Sequence, residues 1–135
     1  MLRMIRKFSL PMLSILILAL VLTLTPEQSY CFEIMIDIAP NVLNLQSQGQ
    51  VVTVHTDIKY GDVYASAIYL NDVLIHSWKA DNRGYFVAKF LMTEVKNQAD
   101  VGFNTFTLIG TTIDGTLFWG NQTIEVVDNI PVGGN

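Results

Sequence analysis

The sequence predicts an all-β domain, a sandwich or barrel of about seven short strands with one short helix, behind an N-terminal signal segment. Apolar and polar residues alternate over much of the chain, which is the pattern of half-buried strands. Turn-forming residues interrupt this alternation about every 8 to 12 residues. The single cysteine, Cys31, excludes a disulfide framework. Packing alone must therefore stabilise the fold.

The N-terminal segment has the order of a secretory signal peptide. Basic residues precede an apolar run, Leu10 to Leu24, that is shorter than the roughly 20 residues needed to span a bilayer as a helix. Ser29 and Cys31 fit the small-residue positions of a cleavage site ahead of Phe32. We expect residues 1–31 to be a signal peptide and the protein to be secreted, periplasmic or on the cell surface. An uncleaved membrane anchor is the alternative.

The remaining chain is long enough for one domain, which we place at 32–128, followed by a flexible tail at 129–135. This part carries five basic residues and eleven acidic ones, a net charge of −6. Nucleic-acid binding needs basic residues set against phosphates. The composition therefore argues against a nucleic-acid partner.

The first half of the domain contains four predicted strands. FEIMIDIAP alternates isoleucine with polar residues until Pro40 ends it, and QVVTVHTDI alternates in the same way. The segment between them is expected to be a loop. Asn71 and Asp72 tolerate left-handed turn conformations and separate the short strands AIYL and VLIHSW.

The second half contains three more strands and the helix. YFVAKF is followed by MTEVKNQAD, which predicts a short helix with Thr93 as its N-cap. NTFTLIGTTI and TLFWGNQTIEVV flank Asp114-Gly115, a dipeptide typical of hairpin turns.

Several segments resemble an uncharacterised module of exported bacterial and archaeal proteins. The resemblance is carried by IDIAPNVLNL, by AIYLNDVLI and by LIGTTIDGTLFWG, which fits the pattern LxGxxxDGTxFxG, and it extends from about Ile36 to Val127. It implies an immunoglobulin-like β sandwich and a prokaryotic source. It does not imply an enzyme.

Relatives of this kind have an acidic loop that resembles a calcium-binding loop. Calcium takes six to eight oxygen ligands, which alternate carboxylates can supply. Here the corresponding segment is KADNRGYFVAKF, where Asp81 and Asn82 are the candidate ligands but Arg83 stands where another acid is expected. A plain turn is the simpler interpretation, so we expect no cofactor and no calcium.

Aromatic residues suggest a contact surface. Phe118 and Trp119 are adjacent on a predicted strand, so their side chains point to opposite faces. We expect Phe118 to be buried and Trp119 to be exposed. Packing at a sheet edge is the favoured role of Trp119, and contact with a ligand or partner, together with Tyr85, is the alternative.

No motif of nucleophilic catalysis surrounds Ser47, Ser66 or Ser77, so we do not expect an enzyme. The sequence favours a non-catalytic module that binds an extracellular or envelope protein or has a structural role. A carbohydrate-binding module and a calcium-stabilised adhesion module are the alternatives.

Overall fold

A computed structural model of the protein describes residues 30–130. Residues 1–29 of the predicted signal peptide and residues 131–135 of the predicted tail lie outside this range. At the end of the domain, Asn129 is attached to the sandwich, because its N–H donates to Asn44 Oδ1 and its carbonyl accepts from Asn44 Nδ2.

The described part of the chain is all-β with one short helix, as predicted. The strands are β1 (Cys31–Glu33), β2 (Ile36–Ala39), β3 (Val42–Asn44), β4 (Val51–Lys59), β5 (Val63–Leu70), β6 (Val73–Leu74), β7 (Ser77–Ala80), β8 (Tyr85–Leu91), β9 (Gly102–Thr112) and β10 (Leu117–Val127). A 3-10 turn, Tyr60–Asp62, joins β4 to β5, and the helix α1, Met92–Asn97, follows β8.

The strands form two sheets. One has six strands in the order β1-β10-β9-β5-β6, with β3 also paired to β10. The other has four strands in the order β2-β4-β8-β7. Buried side chains from both sheets form one hydrophobic cluster, in which Phe86 and Phe90 of β8 are fully buried together with Phe106 of β9 and Phe118 of β10. The architecture is therefore a two-layer sandwich.

The N-terminal segment crosses between the sheets twice. β1 pairs in parallel with Leu117–Trp119 of β10, β2 pairs with β4 of the other sheet, and β3 returns to pair with Glu125–Val127 of β10. Between these contacts, the N–H of Ile38 on β2 donates to Gln122 Oε1 on β10 at 2.6 Å. One side of the sandwich is thus closed along the length of β10.

Gly120 lies where this segment passes closest to β10. A Cβ atom at Gly120 would lie 2.7 Å from the backbone oxygen of Ile34 and 2.9 Å from Cγ2 of Ile36. Real side chains do not tolerate such distances. Ile34 lies between β1 and β2, and its N–H donates to the Trp119 carbonyl at 2.8 Å, so its backbone oxygen cannot move away cheaply. The absence of a side chain at Gly120 therefore permits the crossing.

Ten strands replace the seven predicted because two predicted strands are divided and one more forms in a predicted loop. FEIMIDIAP splits into β1 and β2 where the chain changes sheets, and VLIHSW splits into β6 and β7 for the same reason. The expected loop at 41–50 contains β3. Pairing between distant segments decides these features, so the local pattern did not show them.

The helix forms where it was predicted, but Thr93 is not its N-cap. The cap residue is Leu91, no side chain caps the helix, and Met92 and Val95 are buried. The helix is thus held by burial rather than by a capping hydrogen bond. It has six residues, and among residues 30–130 no helix is long and apolar enough to cross a membrane.

Replacing Gly120 with alanine is expected to destabilise the fold. The added methyl group would have to displace the Ile34 backbone, and overpacking of this kind costs about 1–3 kcal/mol. Urea unfolding should show a lower midpoint with an unchanged slope.

Gly61→Ala is the matched control, since a Cβ atom at Gly61 meets no atom within 4 Å. Its unfolding free energy should stay the same or rise slightly because alanine restricts the unfolded chain. Equal midpoints for Gly120→Ala and the wild type would show that the close approach does not constrain the fold.

Candidate functional site

The candidate calcium ligand Asp81 closes the hairpin between β7 and β8. Its carboxylate oxygen Oδ1 accepts the N–H of Arg83 at 2.8 Å and the N–H of Tyr85 at 2.9 Å. The Asp81 N–H donates to the Tyr85 carbonyl at 2.9 Å, and Gly84, at φ 84°, completes a three-residue loop. The Tyr85 N–H, more than any other group, lowers the pKa of Asp81 below its ordinary value of 3.8.

The hairpin between β9 and β10 has the same plan. The Thr112 N–H donates to the Thr116 carbonyl at 2.8 Å, and Gly115 has a φ of 88°. Asp114 accepts hydrogen bonds from the Thr112 hydroxyl and from the Thr116 N–H, and the Thr112 hydroxyl has the larger effect in lowering the pKa of Asp114 below 3.8. Asp114-Gly115 therefore forms the predicted hairpin turn.

These bonds engage the Asp81 carboxylate within its own turn. One of its oxygens is already used by two backbone donors, while Asn82 and Arg83 are exposed. Within residues 30–130 no group of three or more histidine, cysteine, aspartate and glutamate side chains is placed to hold a metal ion. The geometry gives Asp81 the role of a turn residue.

Trp119 lies on the outer face of the six-stranded sheet. Its neighbour Phe118 is fully buried, as predicted, while Trp119 is half-buried. Tyr85, the other predicted contact residue, is half-buried on β8 and pairs with Lys59 in the four-stranded sheet. The structure therefore places the two predicted contact residues in different sheets.

The partners of Trp119 come from the strands beside it. Trp119 is in register with Ile109 on β9, Ile109 with Tyr69 on β5, and Tyr69 with Leu74 on β6. These four side chains form one apolar row across four strands. In the adjacent row, Leu117 and Tyr64 flank Thr111.

We call the six apolar residues of these two rows the apolar face. Five of them, all but Trp119, are between 40% and 54% exposed. None of the six carries a charge. Contiguous exposed apolar patches of this kind mark interaction surfaces. The sequence analysis identified Trp119 but missed the other five, because their assembly depends on the pairing of non-consecutive strands.

The outer face of the four-stranded sheet is different. Its central row, also fixed by strand register, contains Asp37, His55, Val87 and Lys79. Three of these four side chains are ionisable, and the next row includes Thr53, Lys89 and Ser77. Val87 is fully buried in this row, while Asp37, His55 and Lys79 are exposed. The exposed part of this face is therefore polar and charged, in contrast to the apolar face.

A cleft of about 430 Å³ lies at one end of the sandwich, beside the β9–β10 hairpin. Its lining residues are Phe32, Gly61, Asp62, Thr112, Ile113, Asp114 and Thr116. The Asp114 carboxylate is already bonded within its turn, and no histidine, cysteine or lysine lines the cleft.

Comparisons of the chain with known protein families, with curated proteins and with solved structures found no match.

Calcium is expected to leave the melting temperature unchanged. A ligand that binds only the folded state raises stability by mass action, by about 2.7 kcal/mol at a hundred times its Kd. Thermal unfolding in millimolar calcium and in excess chelator measures this directly. A melting temperature several degrees higher in calcium, and lost in Asp81→Ala, would instead assign a metal site to the hairpin.

Acid is expected to weaken both hairpins. The folded pKa values of Asp81 and Asp114 lie below the unfolded value, so their stabilisation is present above that value and is lost as the pH falls through the folded pKa values. The double variant Asp81→Asn/Asp114→Asn keeps an acceptor oxygen at each site and removes the titration.

Unfolding free energies measured from about pH 6 to pH 2 should therefore fall more steeply for the wild type than for the variant. The other carboxylates are present in both the wild type and the variant, so their contributions cancel when the two unfolding free energies are subtracted. Parallel curves would show that the two carboxylates contribute nothing to the acid sensitivity.

Proposed function

We propose that this protein is a non-catalytic, immunoglobulin-like module that acts outside the cytoplasm and binds another protein through the apolar face. The row of Trp119, Ile109, Tyr69 and Leu74 is the observation that carries the proposal. Export is proposed from the order of basic, apolar and polar residues at the N-terminus.

The order of the strands supports the immunoglobulin-like assignment. Immunoglobulin domains place their first, second, fifth and fourth strands in one sheet and the third, sixth and seventh in the other. Here β2-β4-β8-β7 has the first of these arrangements and β5-β9-β10 has the second, with β6 as an additional edge strand beside β5. β3 returns to β10 as part of the first strand's crossing.

The composition of the apolar face supports protein binding. Protein interfaces have a centre that is enriched in aromatic residues and depleted in charge, surrounded by a polar rim. The apolar face has two tyrosines and a tryptophan beside three aliphatic side chains. Beyond it, the next rows of β9 and β10 are polar, and the Thr105 and Thr123 hydroxyls lie 2.7 Å apart.

Carbohydrate binding is the second candidate. Tyr64, Tyr69 and Trp119 lie on one face, and aromatic rings of this kind can stack on sugars while their polar atoms form hydrogen bonds. Leu74 and Ile109 have no ring to contribute to stacking. A glycan bound by the aromatic residues should therefore survive Leu74→Ser, whereas a protein contact across the whole row should be weakened.

Substitutions in the apolar row are expected to weaken partner binding. The 135-residue chain is expressed in a host that exports it. The exported protein is then used as bait to capture proteins from the envelope and medium of its source cells. Binding of the recovered partner is then compared with Trp119→Ser and Tyr69→Ser. Truncating a central aromatic residue costs about 2 kcal/mol or more, which is roughly 30-fold in Kd.

His55→Ser/Lys79→Ser is the control, because these residues occupy the central row of the opposite face. It should bind as the wild type does, and circular dichroism should show that all variants are folded. A partner that binds the apolar-row variants with undiminished affinity would place the interaction elsewhere on the molecule.

A further inference from the structure

Charge is distributed unevenly between the two sheets. Lys59, Lys79 and Lys89 lie on strands of the four-stranded sheet, and Arg83 lies in its β7–β8 hairpin. Lys96 is in the helix. These are all of the lysine and arginine residues in the described part of the chain. The six-stranded sheet therefore has none on its strands or on the two turns that join them directly.

Acidic residues surround the apolar face instead. Glu33 on β1 is in register with Trp119 at one end of the apolar row. Asp72 lies in the β5–β6 turn at the other end, and Asp114 lies in the β9–β10 hairpin. Glu125 is exposed further along β10, but two polar rows separate it from Trp119. The apolar face thus has an acidic rim, and the strands and direct turns of its own sheet carry no lysine or arginine. Lys59 of the other sheet lies at the end of the sandwich, where it lines a cleft together with Glu33, Asp57 and Asp62.

This rim determines which partner fits. Charges at the rim of an interface steer association and penalise like-charged surfaces, while the apolar centre provides most of the affinity. Two copies of this face placed together would bring acidic rims into contact and repel each other. A surface with basic residues around an apolar centre would be attracted.

We propose that the apolar face binds a protein segment in which aromatic or aliphatic residues are flanked by lysine or arginine. This inference rests on the proposed function and specifies the partner's chemistry. It also predicts that the protein does not dimerise through this face.

A displayed library of random peptides provides the probe. The exported product of the full-length chain is the bait, and selection is carried out at low salt. Selected peptides should contain more lysine and arginine than the input library, together with aromatic or aliphatic residues. The most enriched peptide is then synthesised, and its Kd is measured by fluorescence anisotropy.

Two variants with equal changes in net charge isolate the rim. Glu33→Gln/Asp72→Asn neutralises two rim carboxylates that accept no hydrogen bond from the described side chains or backbone. Asp37→Asn/Asp100→Asn neutralises two carboxylates outside the six-stranded sheet. Only the first should weaken peptide binding, on the order of tenfold at low salt, and the difference should largely vanish near 0.5 M salt because of screening.

The outcomes separate the two proposals. Peptides without basic enrichment, or equal binding by the two charge variants, would overturn the inference but leave the proposed function intact if Trp119→Ser/Tyr69→Ser still abolishes binding. Failure to enrich any peptide, or binding that survives Trp119→Ser/Tyr69→Ser, would overturn both. Sedimentation that shows a dimer dispersed by Trp119→Ser/Tyr69→Ser would assign the face to a second copy and overturn the inference.

Discussion

The N-terminal segment can join both sheets only because β10 has no side chain at Gly120. The backbone of Ile34 passes over this position, leaving no room for a Cβ atom. The crossing puts β1 and β3 beside β10, and it brings β2 close enough for Ile38 to reach Gln122. A bulkier residue would separate the layers where the first strand changes sheets. The closed side of the sandwich therefore depends on this contact.

Because β1 and β3 cover one edge of the sandwich, the broad faces of the sheets are better placed for binding than this edge. An exposed edge strand offers unpaired backbone groups to another chain, and strand addition uses them. Here β1 and β3 pair with β10, and the outward N–H of Ile38 is satisfied by Gln122. On the far side, β7 has only four residues and includes Lys79, a feature that discourages pairing between edges. The exposed apolar area lies on the broad face of the other sheet.

Local patterns predicted what local forces determine. Alternation located the long strands, and Asp114-Gly115 and Asn71 located two turns, with φ values of 88° at Gly115 and 50° at Asn71. Thr93 was wrong as a helix cap because burial of Met92 sets the start of the helix. The apolar face could be predicted only in part. The hairpin implies the pairing of Trp119 with Ile109, but the β5–β9 register shifts before Tyr69, and no local signal encodes that shift.

The sequence pattern LxGxxxDGTxFxG carries the resemblance to the exported module. Its specified residues and the residues of the apolar face occupy different positions of the same strands. In LxGxxxDGTxFxG the specified Leu108 and Phe118 are fully buried, and Gly120 accommodates the crossing. Ile109 and Trp119 fall on unspecified positions, with their side chains on the opposite face of the sheet. Because successive residues of a strand alternate between faces, one set can specify the fold while the other varies. Membership of a family defined by LxGxxxDGTxFxG would therefore not determine the binding partner. The residues on the outer face of the sheet, such as Ile109 and Trp119, determine which partner binds.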